Sequence, residues 1–328
     1  MWTGFYAGLN AGYNFGTNSN TQSISVNNAP YYAKGHSWDS LYTREGEEYY
    51  LTSANPTLGS GLALSGVGPM SQNGFIGGGQ IGYNYQWGQS FVIGIEADIQ
   101  GTGIRGSSRT AGVGGDSGVY FTDTDPESYH VGSYGTASGT TTGITSVNAG
   151  VDWMGTVRGR LGYLFTPTML VYATGGLTYG GVYANVNQAA FASSQMTNYI
   201  YSDQSFDTSY NFNQFNHTFV GGGSKSSTLV GWNVGGGLEW MFMPNWSLKA
   251  EAIYWNMGNM TVPTYSLSSA PSSSACSNED GSLRVACIGG QASSTIGATR
   301  VNYQGVIARA GVNYHFNWFA PAPVVAKY

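Results

Sequence analysis

The chain has 328 residues, only 9% of them charged, with 14% aromatics and 50 glycines. A soluble protein carries roughly 25% charge, so an ordinary soluble enzyme is excluded. The net charge of −5, with no Lys/Arg cluster, excludes a nucleic-acid partner. No run of 18 apolar residues exists and mean hydropathy is −0.17, which excludes a membrane-spanning helix. Weak hydropathy with many aromatics and glycines fits spanning strands that alternate apolar and polar residues.

Strand-like sequence starts directly after Met1, as in a mature chain whose precursor carries a signal peptide. The first segment sets Phe5, Ala7, Leu9, Ala11 and Tyr13 against Tyr6, Gly8, Asn10, Gly12 and Asn14. The second sets Phe75, Gly77, Gly79, Ile81, Tyr83 and Tyr85 against Gln80 and Asn84, and the third Phe91, Ile93, Ile95, Ala97 and Ile99 against Glu96 and Asp98. The fourth sets Trp153, Val157, Leu161, Tyr163 and Phe165 against Asp152, Arg158 and Arg160, and the fifth Val171, Ala173, Leu177 and Tyr179 against Tyr172, Thr174 and Thr178. The sixth sets Trp232, Val234, Leu238, Trp240 and Phe242 against Asn233 and Glu239, and the seventh Trp246, Leu248, Ala250, Ala252 and Tyr254 against Lys249 and Glu251. The eighth sets Val306, Ala308, Ala310, Val312, Tyr314 and Phe316 against Arg309, Asn313 and His315. Each is long enough for a tilted spanning strand of about 9–11 residues.

Connections alternate in length. Short turns fall at Trp87–Ser90, Thr166–Thr168 and Met243–Asn245, and long loops at about 15–73, 104–150, 186–227 and 261–302. This predicts an all-β, transmembrane, antiparallel up-and-down β-barrel of eight strands over residues 1–316, with a periplasmic tail at 317–328. An extra hairpin within 15–73 would make ten strands. Two aromatic girdles are expected: Trp2, Phe5, Tyr85, Trp87, Phe91, Phe165, Phe242, Trp246, Phe316 and Trp318 at the short-turn end, and Tyr13, Phe75, Trp153, Trp232 and Tyr254 at the other.

Nine charges, Glu96, Asp98, Asp152, Arg158, Arg160, Glu239, Lys249, Glu251 and Arg309, all fall on the polar face. A cation on the lipid face costs roughly 2–4 kcal/mol at the midplane, so an inward set is expected. An eight-stranded barrel is just wide enough for side chains to fill it, and buried charges must pair. They therefore form either an ion-pair plug or the lining of a conduction path. Inward Gly78, Gly82, Asn84, Gly235 and Gly237 would leave space for the latter. Cys276 and Cys287, in a Ser-rich stretch, are expected to bridge in an oxidising compartment. The four histidines, His36, His130, His217 and His315, carry no motif, and the acidic runs Arg44–Glu48 and Thr122–Glu127 lack calcium-loop spacing. No catalytic, metal or cofactor site is expected.

Trp2–Tyr13, Val151–Tyr163 and Asn245–Glu251 resemble strands of the alphaproteobacterial small outer-membrane β-barrel proteins, the porin-family surface antigens. The terminal strand, with Arg309, Gly311, Tyr314 and Phe316, is similar to the signal read by the barrel assembly machinery. These motifs cover under half the chain. The resemblance implies a Gram-negative outer-membrane protein in contact with lipid and lipopolysaccharide, with extracellular loops and both termini periplasmic. Members of that family include structural surface proteins, weak porins and haem binders. The Tyr-, Ser-, Gly- and Asn-rich loops suit adaptable contacts. The first expectation is thus a plugged surface barrel whose loops form a cap for self-association or surface contact, and the alternative is a small-solute porin.

Overall fold

A strand with one apolar and one polar face satisfies both faces, and all its backbone groups, by closing a ring in which no edge is left. The computed structural model describes residues 2–17, 19–27, 32–36, 48–52, 58–123, 131–202, 210–268 and 294–316. Its strands are β1 (Gly4–Gly16), β2 (Ser19–Asn27), β3 (Tyr32–His36), β4 (Glu48–Thr52), β5 (Gly66–Met70), β6 (Gly74–Trp87), β7 (Phe91–Asp123), β8 (Val131–Thr166), β9 (Met169–Ser202), β10 (Tyr210–Met243), β11 (Trp246–Ser268) and β12 (Ser294–His315). One helix, α1 (Leu58–Ala63), precedes β5.

Eight of these strands make the ring, in the order β1-β6-β7-β8-β9-β10-β11-β12, all antiparallel. β12 closes on β1 from Tyr6↔His315 to Gly16↔Gly305. The tight turn between β6 and β7 places Gly88 at φ 65°, where a side chain would be strained. Leu9, Ile81, Ile95, Leu161, Leu177 and Leu238 point outward and stay exposed, the mark of a surface meant for lipid. Edge-on pairs bound this band: Phe91–Tyr163 and Trp246–Tyr314 at the short-turn end, Tyr13–Phe75 and Trp153–Tyr179 at the other. Trp2 is not a girdle residue, because it folds into the barrel and is 1% exposed. Trp318 and the tail lie outside the described residues.

The strands run much further than the alternation indicated. β8 has 36 residues where spanning needs about 9–11. The β7–β8 pairing continues to Asp123↔Gly132, and the β9–β10 pairing to Tyr210↔Tyr199. Residues 104–150 and 186–227 are therefore largely strand rather than loop. Their high Thr, Ser, Gly and Asn content interrupts the apolar positions, so a hydropathy period carries little signal there.

Residues 15–73 do not add strands to the ring. β2 continues the line of β1 along β12, from Arg300↔Gln22 to Thr295↔Asn27, and β5 pairs with β2 and continues the line of β6. An Asn73↔Arg105 bridge ties this segment to β7. Above the membrane-facing section, β2 and β5 thus take the places of β1 and β6 beside β7–β12 and form a tower. Hydrogen exchange should find the amides of Ser107–Gly115 protected in the detergent-folded protein. Rapid exchange throughout that stretch would place the strand ends at the membrane instead.

Candidate functional site

The barrel interior holds the chain's chemistry, and it is layered. Trp2 fills the short-turn mouth among Val92, Leu164, Leu170 and Tyr172. Its indole Nε1 donates to Pro167 O at 3.1 Å, and its ring meets His315 edge-on at 5.7 Å.

Above it lie four carboxylates and four cations, every one at most 5% exposed: Glu96, Asp98, Glu239 and Glu251 with Arg158, Arg160, Lys249 and Arg309. Inward alternation on β7, β8, β10, β11 and β12 aims them all at the barrel axis. Glu96 accepts from Arg158, from Lys249 Nζ at 3.0 Å and from the Tyr6 hydroxyl at 2.7 Å. Asp98 accepts from Arg158 at 3.0 Å, Arg309 at 2.8 Å and Thr156 at 2.8 Å. Glu251 binds Arg309 at 2.6 Å, Lys249 at 2.9 Å and Arg158 at 3.2 Å. Glu239 accepts from Arg160 and Ser247, each at 2.6 Å, and from Asn313 at 2.7 Å. The Arg160 guanidinium also lies 4.0 Å from the centre of the Tyr172 ring, a cation–π contact.

Asp152, expected in this set, is outside the lumen. The β8–β9 register shifts between Val151 and Trp153, so Asp152 is the extra residue of a bulge. Inward positions are odd above it (Val147, Ala149, Val151) and even below it (Met154, Thr156, Arg158). Extending the alternation upward from Arg158 therefore misplaces Asp152. Its carboxylate, 57% exposed, instead pairs with Arg105 at 2.8 Å.

The glycines expected to leave room do not. The Tyr6 phenol occupies the place of a Gly82 side chain, and a Cβ on Gly237 would meet the Tyr172 hydroxyl at 2.8 Å. Backbone crowds the same position at Gly78 and Gly235, and Asn84 is fully buried.

Two further layers had no sequence signal. Past the charges the inside becomes apolar, with Ile104, Val151, Met154, Val182, Ile253, Trp255, Met260, Val301 and Ile307 in one cluster. Met257 continues the inward phase of Ile253 and Trp255, and a bulge between Asn256 and Gly258 then shifts β11 so that Met260 and Val262 join the cluster. Beyond this core, α1 enters the tower. Ser60 bonds Thr295 at 3.2 Å, Thr145 donates to Leu64 O at 3.0 Å, and Leu64 packs on Ala190, Ala192 and Phe219. Gly112, Gly114 and Gly143 admit the helix, because a side chain on any of them would strike the backbone of Gly59 or Ala63.

The assembly-signal residues divide by face. Arg309 and Gly311 point inward, while Tyr314 and Phe316 stack outside at 5.1 Å. His315 bonds Ser247 inside at 2.9 Å. Among the described residues no group of three or more His, Cys, Asp or Glu is set to hold a metal. Cys276, Cys287, His36, His130 and His217 lie where no side chain is described.

A closed ring of eight antiparallel strands, lipid-facing outside and filled inside, defines a transmembrane β-barrel of the outer-membrane type. The chain is similar to a particular outer-membrane protein. It is 32% identical over 199 residues to the 31 kDa outer-membrane immunogenic protein of Brucella melitensis biotype 1, and equally to that of Brucella suis biovar 1. The match covers 61% of this chain and 60% of each relative, so the chain spans about three fifths of the length of these curated relatives. The chain is an outer-membrane barrel protein that is similar over this stretch to these immunogenic proteins. No protein-family model matches it. Among solved structures, the outer membrane protein OprG from Pseudomonas aeruginosa covers 96% of this chain, and 97% of OprG is covered, at 10% identity and a TM-score of 0.30.

Replacing Arg158 by Ala removes a donor shared by Glu96, Asp98 and Glu251, leaves the buried set one positive charge short, and should cost about 3–5 kcal/mol. Asp152→Asn, at an exposed pair, should change stability by less than about 1 kcal/mol. Urea unfolding in detergent compares the two, and equal losses would contradict the placement of Asp152.

Proposed function

We propose that this protein is a structural surface barrel with a closed lumen, which holds a rigid tower outside the cell for self-association or contact with the surroundings. In this reading the short turns and both ends of the described chain face the periplasm, and β7–β12 rise into the medium. The observation that carries it is the filling of the lumen at successive levels: Trp2, the eight charges, the apolar layer and α1. Conduction would need an ion to pass the paired charges, cross an apolar layer and displace α1.

Planar-bilayer recording of the folded protein should give no conductance steps, with folding checked by heat-modifiable gel mobility. Stable, reproducible steps would overturn the closed lumen and favour a small-solute porin.

A bridge between Cys276 and Cys287 would stiffen the connection between β11 and β12, worth about 3 kcal/mol on the chain-entropy model. Peptide mapping without reductant should recover the linked pair. Reduction should leave heat-modifiable mobility intact, since the ring closes through β1 and β12; its loss would show that the bridge supports the barrel.

A further inference from the structure

Among the residues whose side chains are described, the exposed cations are Arg105, Arg109, Lys225 and Arg300, and all stand on the tower section. Asp152 is the matching outward acid, and Arg105 takes it. That leaves Arg109, Lys225 and Arg300 exposed with no carboxylate partner among the described residues.

These three are far apart in sequence but fall on one row around the barrel. Lys225 Nζ donates to Thr261 O at 3.2 Å. Thr261 pairs with Arg300, Arg300 with Gln22, and Gln22 with Val67. Gly66 and Gly68, on either side of Val67, pack on Thr110 and Ser108, which sets Val67 opposite Arg109. The row thus crosses β10, β11, β12, β2, β5 and β7; Arg300, Gln22, Val67 and Arg109 face outward, while Lys225, at an inward register position beside Ala184, is exposed where β10 and β11 part between Gly222 and Trp232, its ammonium set in the wall on Thr261 O. At about 4.8 Å per strand, Lys225 and Arg300 lie roughly 10 Å apart, and Arg300 and Arg109 roughly 14 Å.

The height of the row matters as much as its sign. Thr261 follows the girdle residue Tyr254 on β11, and Lys225 precedes the girdle residue Trp232 on β10, by the same short stretch of strand. With about 3.3 Å rise per residue and a tilt near 40°, the row stands roughly 15–20 Å beyond the girdle. Acyl chains do not reach that level. In an outer leaflet of glycolipid it is occupied by phosphorylated sugars. Guanidinium and ammonium groups bind phosphate by charge and by several donors at once.

We propose that Arg109, Lys225 and Arg300 form a docking row for the phosphate groups of lipopolysaccharide. The row rests on the outward orientation proposed above. Bound there, the glycolipid would fix the height of the barrel in the outer leaflet and pack against the flat Gln22–Val67 stretch between the cations.

The test is native mass spectrometry of the folded protein in detergent, titrated with rough lipopolysaccharide. The wild type should retain the glycolipid. The triple variant Arg109→Gln, Lys225→Gln, Arg300→Gln should bind at least roughly tenfold more weakly, with unchanged heat-modifiable mobility. Arg105→Gln should bind like the wild type, and enzymatic dephosphorylation of the glycolipid should weaken binding as the triple variant does. Equal binding by the triple variant overturns the proposal. So does equal competition by phosphatidylglycerol or inorganic phosphate, which would mark a general anion surface. Orientation is read separately, by labelling a Ser226→Cys variant in intact cells with a membrane-impermeant maleimide. Labelling together with equal binding by the triple variant removes the docking row alone, whereas absence of labelling removes the orientation.

Discussion

Eight charges, every one at most 5% exposed, neutralise one another inside the ring, and most of the structure follows from that requirement. An isolated ion in such a place is untenable, while a set in which each carboxylate meets two or more donors is stable. The set is shared among β7, β8, β10, β11 and β12, with Tyr6 of β1 donating to Glu96. The strands must therefore keep one register relative to one another, since a slip of one residue would carry an arginine to the lipid face. The glycines of the inner wall serve the same end. Gly82 and Gly237 give up their side-chain volume to the tyrosines that complete the network.

Much of this was legible in the sequence because period-two alternation is a direct image of an inside and an outside. Glu96, Asp98, Arg158, Arg160, Glu239, Lys249, Glu251 and Arg309 share the polar face, and that is enough to bring them together once the ring closes. Asp152 shows where alternation fails. A bulge is one residue of phase, and nothing in the side chains of Val151–Trp153 announces it. Trp2 shows a second limit, since an aromatic at a strand end suits either a girdle or a stopper, and the choice depends on the mouth left by Val92 and Leu170. The long upper strands were invisible for a third reason. Their pairing is held by backbone hydrogen bonds, and their few inward apolar residues, such as Val147, Val186 and Phe219, are set among Ser, Thr, Gly and Asn, so hydropathy marks them weakly.

The apolar layer gives the molecule a feature more typical of soluble proteins. Ile104, Val151, Trp255, Met260, Val301 and their neighbours form a core inside the wall, while another apolar surface faces lipid outside it. The section between them and the tower is thus stabilised by burial as well as by its ladders. This supports strands that rise far past the membrane, where lipid no longer holds them. Helix α1 closes the same space from above with small residues, and its seat depends on Gly112, Gly114 and Gly143 having no side chains.

The placement of Arg309 has a consequence for the order of events during biogenesis. Its guanidinium joins Asp98 and Glu251, yet it stands on the last strand, which is also the strand that meets β1. Until β12 arrives, the growing sheet carries more carboxylate than cation toward its concave side, with Glu96, Asp98, Glu239 and Glu251 facing Arg158, Arg160 and Lys249 alone. Sealing the seam and balancing the interior are therefore one act. An open intermediate would stay hydrated and electrostatically incomplete, and the terminal strand acts as the latch that dries it.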